Sequence, residues 1–229
     1  MLPRSSMAQS FRHPGESPSD LIERAPTLAV VACAALYHLL LYGLANRYPA
    51  GPVALLQERW LDRAVPLWPW TIWIYASAHL LVVATFWSTR APGARTRFAT
   101  VFAVIIPICV LVHWAWPVRF PRELYPLGDG GAGVAFLRWL RNVDRAGSAF
   151  PSLHVAMVAA SALQAARGRL RGAPAIALWA AAVSISTLTT KQHYAVDVAA
   201  GIALALAVDW AVASTDARGR RRRTWATAA

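Results

Sequence analysis

Three side chains in this sequence have the types and spacing to do chemistry on a phosphate: His154, His193 and Asp197. His193 and Asp197 stand four apart in "TKQHYAVD", a spacing that puts both on one helix face within contact distance. A carboxylate that holds one ring N–H of an imidazole fixes its tautomer and frees the other nitrogen to attack phosphorus. His154, in "FPSLH", stands where a second imidazole donates a proton to the leaving alkoxide. "FPS" also marks a helix start: Pro151 suits the first turn, and the backbone N–H groups beside Ser152 are free for an anion. Arg119 and Arg122 in "VRFPRE", and Lys191, the only lysine in the chain, supply cations. Positioning and charge stabilisation carry most of the catalysis in phosphoryl transfer, so cations belong beside such a pair. His, His and Asp are also zinc ligand types. The adjacent cations Lys191 and Arg122 oppose that metal reading, because a divalent ion would repel them.

These residues must be brought together by elements built for a bilayer. The chain has 229 residues, 57% of them hydrophobic, with eleven tryptophans and a net charge of +12; its mean hydropathy is +0.39. Six stretches, 27–48, 67–89, 97–117, 151–167, 173–190 and 194–213, are apolar enough to cross a membrane as helices of about 20 residues. The predicted class is therefore all-α, a polytopic membrane protein. Spans four to six are rich in small residues that allow close helix packing and form the expected inner bundle. Arginines concentrate at Arg4, Arg12, Arg24, Arg90, Arg95, Arg97, Arg167, Arg169, Arg171 and after Arg218. That bias puts both termini on the cytoplasmic side. Trp68, Trp70, Trp114 and Trp116 mark the outer interface, Trp87 and Trp210 the inner one. Counting crossings then brings His154, His193 and the Arg119/Arg122 pair to the outer ends of spans four, six and three.

The remaining features are less specific. Residues 1–26 are expected to be a mobile cytoplasmic segment without a cleavable signal pattern, 27–213 the membrane domain, and 214–229 a basic tail against the inner leaflet. That basic run is not read as a nucleic-acid site. Loops 49–66 and 118–150 contain "VALLQERWLD" and "GVAFLRWLRNV", which read as amphipathic surface helices. His38 and His79 are expected to make interhelical hydrogen bonds, Asp209, at the inner end of span six near Arg218, to be a paired interface charge, and His113 to stand at the outer end of span three with no assigned role. Cys33 and Cys109 lie in apolar runs and imply no disulfide. A non-enzymatic scaffold or transporter leaves the one-sided His/Asp/Arg cluster unexplained.

"AFPSLH" and "TKQHYAVDVAAG" resemble the second and third signature motifs of the type 2 phosphatidic acid phosphatase superfamily, PSGH and SRxxxxxHxxxD. The likeness extends to "RFPRE", to "VPLWPWTIWIY" and to the six-helix layout, over roughly residues 27–213. It implies that His193 forms a phosphohistidine, that His154 is the acid and that Asp197 orients the nucleophile. It also implies that no metal or other cofactor is needed. The substrate it implies is a lipid phosphate or phospholipid, hydrolysed or, as in the inositol-phosphotransferase branch, transferred to an alcohol. The first motif, KxxxxxxRP, has no lysine here, the SR pair falls on Ser186 and Thr187, and Leu153 replaces a glycine. Arg119, Arg122, Ser152 and Lys191 are the expected phosphate-binding residues, with Lys191 standing in for a missing cation.

Overall fold

The computed structural model describes residues 18–144 and 147–226. Arg4, Arg12, Arg145 and most of the segment expected to be mobile lie outside them. The described chain begins earlier than the expected first span. Pro18–Arg24 forms a short helix, α1, joined to Thr27–Arg47, α2. Arg95 donates to the Glu23 and Ala25 carbonyls (3.0 and 2.9 Å), and Glu23 Oε1 accepts from Thr96 N at 2.8 Å. A carboxylate at that position complements the exposed N–H groups at the start of the helix Ala94–Ala115.

Among the described residues, four helical segments are long and apolar enough to cross a membrane: Thr27–Arg47, Pro69–Ser88, Ala94–Ala115 and Ala195–Ala217. The second is a 3-10 turn followed by Ile72–Ala76 (α4) and Ala78–Ser88 (α5), and the third is α6. Leu153–Arg167 (α8) and Ala173–Thr189 (α9) have 15 and 17 residues. At 1.5 Å per residue they are roughly 23 and 26 Å long, short of a hydrocarbon core of about 30 Å.

α8 is short but central. Val155, Ala156, Met157, Val158 and Ala160 are all buried. Ala156, Met157 and Ala160 pack with Phe102, Ile105 and Cys109 of α6 and with Ala205 and Val208 of Ala195–Ala226, α10. Val158 faces the other way, against Ala78 and Leu81 of α5 and Ala180 and Val183 of α9. Gly201 permits the closest approach: a Cβ there would stand 2.6 Å from the Ser152 carbonyl oxygen and 3.2 Å from Ala156 N. At the far end of the same pair, Asp209 accepts from Arg167 (2.6 and 2.8 Å) and from Gln164 (2.8 Å). Asp209 is therefore the paired charge expected, and its partner is Arg167 on α8. α10 itself runs on to Ala226, through the segment expected to be a tail.

The two long loops divide. "GVAFLRWLRNV" is an amphipathic helix, Ala132–Val143 (α7), with Leu137 buried and Trp139 exposed. Its Phe136 stacks on Trp73 at 5.1 Å, and Gly133 lets it lie against the Pro69–Trp70 backbone. "VALLQERWLD" forms no such helix. Ala54–Leu55 (β1) pairs in parallel with Val118–Arg119 (β2), and only Trp60–Ala64 (α3) is helical. Backbone groups of residues 54–56 bond to those of residues 117–119, so tertiary pairing overrides the local apolar pattern.

Candidate active site

The turn between α9 and α10 delivers His193. Thr190 caps α9, Gln192 N donates to Thr187 O and Lys191 N to Leu188 O, both at 3.1 Å. This is a Schellman ending, in which the residue after the cap adopts the left-handed conformation. Lys191 occupies it with φ +55°, where glycine would carry no Cβ strain. The turn is tied down on both sides. Trp68 N donates to Thr189 O (2.8 Å), and the Thr71 and Thr189 hydroxyls meet at 2.8 Å. His193 N donates to Thr187 O at 3.2 Å.

Asp197 follows on the first turn of α10 and is fully buried. Its Oδ2 accepts from Tyr194 N (2.9 Å) and stands 3.4 Å from His193 Nδ1. His193 Nδ1 has no other partner, and Asp197 Oδ1 is also unpartnered. The α10 start is fastened to the α8 start by Ser152 N, which donates to Asp197 O at 3.2 Å. Ser152 Oγ caps α8 by accepting from Val155 N at 3.3 Å. His113 Nε2 donates to Pro151 O at 2.9 Å, so this histidine of α6 positions the "FPS" segment.

His154 and His193 line one small polar cavity, together with Tyr42, Tyr75, Phe120, Arg122, Asp144, Ser148 and Gln192. Tyr75 stacks on His154 with ring centroids 4.4 Å apart, its hydroxyl 3.3 Å from His154 Nδ1. Arg122 Nη2 pairs with Asp144 (2.8 Å) and donates to Gln192 Oε1 (2.9 Å); its Nη1 donates to the Asp144 and Arg141 carbonyls. Tyr42 also donates to Asp144, at 2.8 Å. Arg122 Nε is left as a buried donor without a partner. Behind it Arg141 has unpartnered Nε and Nη2 groups, and burial together with the neighbouring Arg122 lowers its pKa to about 10. Arg122, on the cavity wall, and Arg141, behind it, thus keep buried N–H donors unspent, the kind of group that pairs with an anion.

The structure brings His154, His193, Asp197 and Arg122 together. Arg119 and Lys191 do not line the cavity. Arg119 forms an exposed pair with Glu123. The Lys191 side chain, 2% exposed, points to the opposite side of its turn. Its Nζ donates to Asp62 O at 2.6 Å and lies 4.4 Å over the Tyr125 ring. Burial lowers its pKa, against the opposing pull of Glu58 and Asp62. Asp62 in turn accepts from Ala195 N through Oδ1 (2.8 Å) and from Arg59 N through Oδ2 (3.0 Å). Ser152 is used as a helix cap. His38 and His79 make ring contacts, 5.9 Å apart, and His38 Nδ1 is buried without the expected hydrogen bond.

Sequence reasoning missed Tyr75, Asp144, Gln192 and Asp62. Gln192, beside His193, was the one with a local signal. Among the described residues, no three His, Cys, Asp or Glu side chains converge as metal ligands would.

A family model described as the PAP2 superfamily matches residues 46–211. The chain belongs to the PAP2 superfamily. It is a phosphatase- or phosphotransferase-type enzyme acting on phosphate esters. The match spans every element that lines the cavity except α2, whose Tyr42 precedes it. Comparisons with curated proteins and with solved structures find no match.

Proposed function

We propose that this PAP2 superfamily enzyme is a six-span membrane protein that hydrolyses a lipid phosphate monoester or diphosphate at the outer face, with both termini inside. One observation carries the reading: His193 and His154 share a cavity with Arg122, and Asp197 stands 3.4 Å from His193 Nδ1. With Asp197 holding Nδ1–H, the Nε2 lone pair of His193 attacks phosphorus. An N–P bond forms as the P–O bond to the lipid alcohol (in a diphosphate, to the lipid monophosphate) breaks, and protonated His154 gives its proton to the leaving oxygen. Water then attacks the phosphohistidine, His154 takes the water's proton, and the N–P bond breaks to release phosphate. The free Nε of Arg122 meets the charge that grows on the phosphoryl oxygens. No step calls for a metal. An alcohol in place of water would make the enzyme a headgroup transferase, which the likeness of "FPSLH" and "TKQHY" to the inositol-phosphotransferase branch also supports.

Incubating the purified protein with a panel of lipid phosphates and phospholipids, in EDTA and with or without alcohol acceptors, tests this. Phosphate release with a free lipid alcohol is the expected result. A new phosphate ester of the acceptor alcohol, a monoester from a lipid phosphate or a diester from a phospholipid, without phosphate release would make it a transferase. Absence of both products across the panel would sink the reading.

A further inference from the structure

The two histidines differ in what holds them. Asp197 stands at Nδ1 of His193, whereas Nδ1 of His154 faces the hydroxyl of Tyr75, 3.3 Å away. Tyr75 also lies along the face of the His154 ring, with centroids 4.4 Å apart and planes 29° from parallel. His79, four positions on, meets the same ring edge-on at 5.5 Å. The imidazole is thus gripped on a face and at an edge by two side chains of the α4–α5 span.

The start of that span is anchored beside the nucleophile. Tyr75 is buried and packs with Ile72 and with Leu137 of α7. One turn before it, the Thr71 hydroxyl meets that of Thr189 at 2.8 Å, and Trp68 N donates to Thr189 O, also at 2.8 Å. Thr189 ends α9, from which the turn to His193 departs. One anchor therefore sets both the nucleophile's turn and the ring against which His154 rests.

A histidine used as an acid must present one defined nitrogen. With Nδ1 engaged by Tyr75, the nitrogen left for the leaving oxygen is Nε2. The chemistry of the holding group matters as much as its place. A carboxylate favours the charged imidazolium and would retain the proton that His154 has to give up. A phenol oxygen accepts from Nδ1–H without bringing a full negative charge, so it fixes the tautomer and lets the Nε2 proton leave. The same bond serves both half-reactions: Nδ1–H stays in place while Nε2 gives a proton to the leaving oxygen and later takes one from water. At His193 the need is the reverse. Its ring becomes positive as the N–P bond forms, and a carboxylate at Nδ1 stabilises that charge.

Resting on the hydrolase reading, we propose that Tyr75 is a positioning residue for the acid. Its hydroxyl accepts from His154 Nδ1–H and its ring fixes the imidazole plane, so that Nε2 is the nitrogen that donates. Tyr75 acts through His154.

Tyr75→Phe removes the hydroxyl and keeps the stacked ring. The ratio kcat/KM covers the steps up to departure of the leaving group, so it reads His154 as acid and not the later attack by water. For an alkyl phosphate, whose alkoxide leaves poorly, kcat/KM should fall roughly 10- to 100-fold, the scale of a misplaced catalytic group. For a nitrophenyl phosphate, whose leaving group needs no proton, the fall should stay under about threefold. An equal fall for both esters would mean that the hydroxyl serves the phosphate or the packing. No fall for either would mean that His154 needs no such partner. Each result overturns the proposal. A second measurement is independent of turnover. The chain has only six histidines, so nitrogen resonances of isotope-labelled histidine in nanodiscs give a short spectrum, in which His154→Gln identifies the His154 signals. Neutral His154 should carry its proton on Nδ1 in the wild type and exchange between both tautomers in Tyr75→Phe. A proton on Nε2 in the wild type, or one pattern in both proteins, would overturn the proposal. If the wild type turned over no phosphate ester, the hydrolase reading would fail by itself, and the tautomer comparison would still decide the role of Tyr75.

Discussion

At the scale of single residues, the lone lysine changes meaning once its side chain is followed. Lys191 fixes the turn that carries His193 by bonding the Asp62 carbonyl and covering Tyr125. A hydrogen bond from a buried charged donor contributes about 1.5–3 kcal/mol. Lys191→Ala is therefore expected to lower the melting temperature and turnover together. Lys191→Gly should regain part of the stability, because glycine adopts positive φ without strain, while turnover stays low. A contact with phosphate instead would leave melting unchanged and depress turnover alone. Asp197→Asn gives a second test. The amide keeps an acceptor for Tyr194 N but cannot hold the reactive tautomer of His193. A loss on the order of 10³–10⁴ in rate at unchanged circular dichroism is expected, as for an aspartate that orients a catalytic imidazole. The histidines proposed as catalytic stand out in the sequence because the spacing within each of their motifs is local. The direction of Lys191 was not, since nothing in "TTKQHY" says that its C-terminal neighbours leave the turn on the other side. Asp62 and Asp144 were invisible for a related reason: each acts through partners more than twenty positions away in the chain.

At the scale of elements, the site is the junction of the α8 and α10 N-termini, and its spacing depends on Gly201. Alanine there would push its Cβ to 2.6 Å from the Ser152 carbonyl, a backbone atom that cannot swing aside. Gly201→Ala should therefore separate the two helix starts, break the Ser152–Asp197 backbone bond and move His154 relative to His193. Overpacking of this kind costs about 1–3 kcal/mol. The expected outcome is a lower melting temperature with kcat falling more than KM rises; an unaltered kcat would mean that the junction tolerates the shift. Apolar runs located the long helices well, because length and hydropathy are additive along the chain. They failed at "VALLQERWLD", where β pairing of Ala54 and Leu55 with Val118 and Arg119 is a non-local choice. They also could not reveal that α2 stands loosely against its neighbours, with only 6% of its span buried, since packing density leaves no trace in periodicity.

At the scale of the molecule, helix count and charge bias make a topology that can be tested from outside the cell. In the six-span arrangement, Asp129 in the loop before α7 faces out and Arg90 and Arg171 face in. With Cys33 and Cys109 replaced by serine, a single cysteine at position 129 should react with a membrane-impermeant maleimide in intact cells. Cysteines at 90 or 171 should react only after permeabilisation. The reverse pattern would invert the topology and move the site to the inner face. In that arrangement α8 and α9, at 15 and 17 residues, would cross as a short pair, α8 packed through buried Ala156, Ala160 and Ala165 and α9 presenting Leu178 and Ile185 outward.

The central claim is that His193 attacks phosphorus and carries it. Rapid mixing of the enzyme with a turned-over lipid phosphate, quenched in alkali where phosphohistidine survives, followed by peptide mass spectrometry, tests that claim most directly. A phosphoryl adduct on the peptide containing His193, absent from His193→Ala, is the result expected. Active enzyme with no adduct, or an adduct on His154, would contradict it.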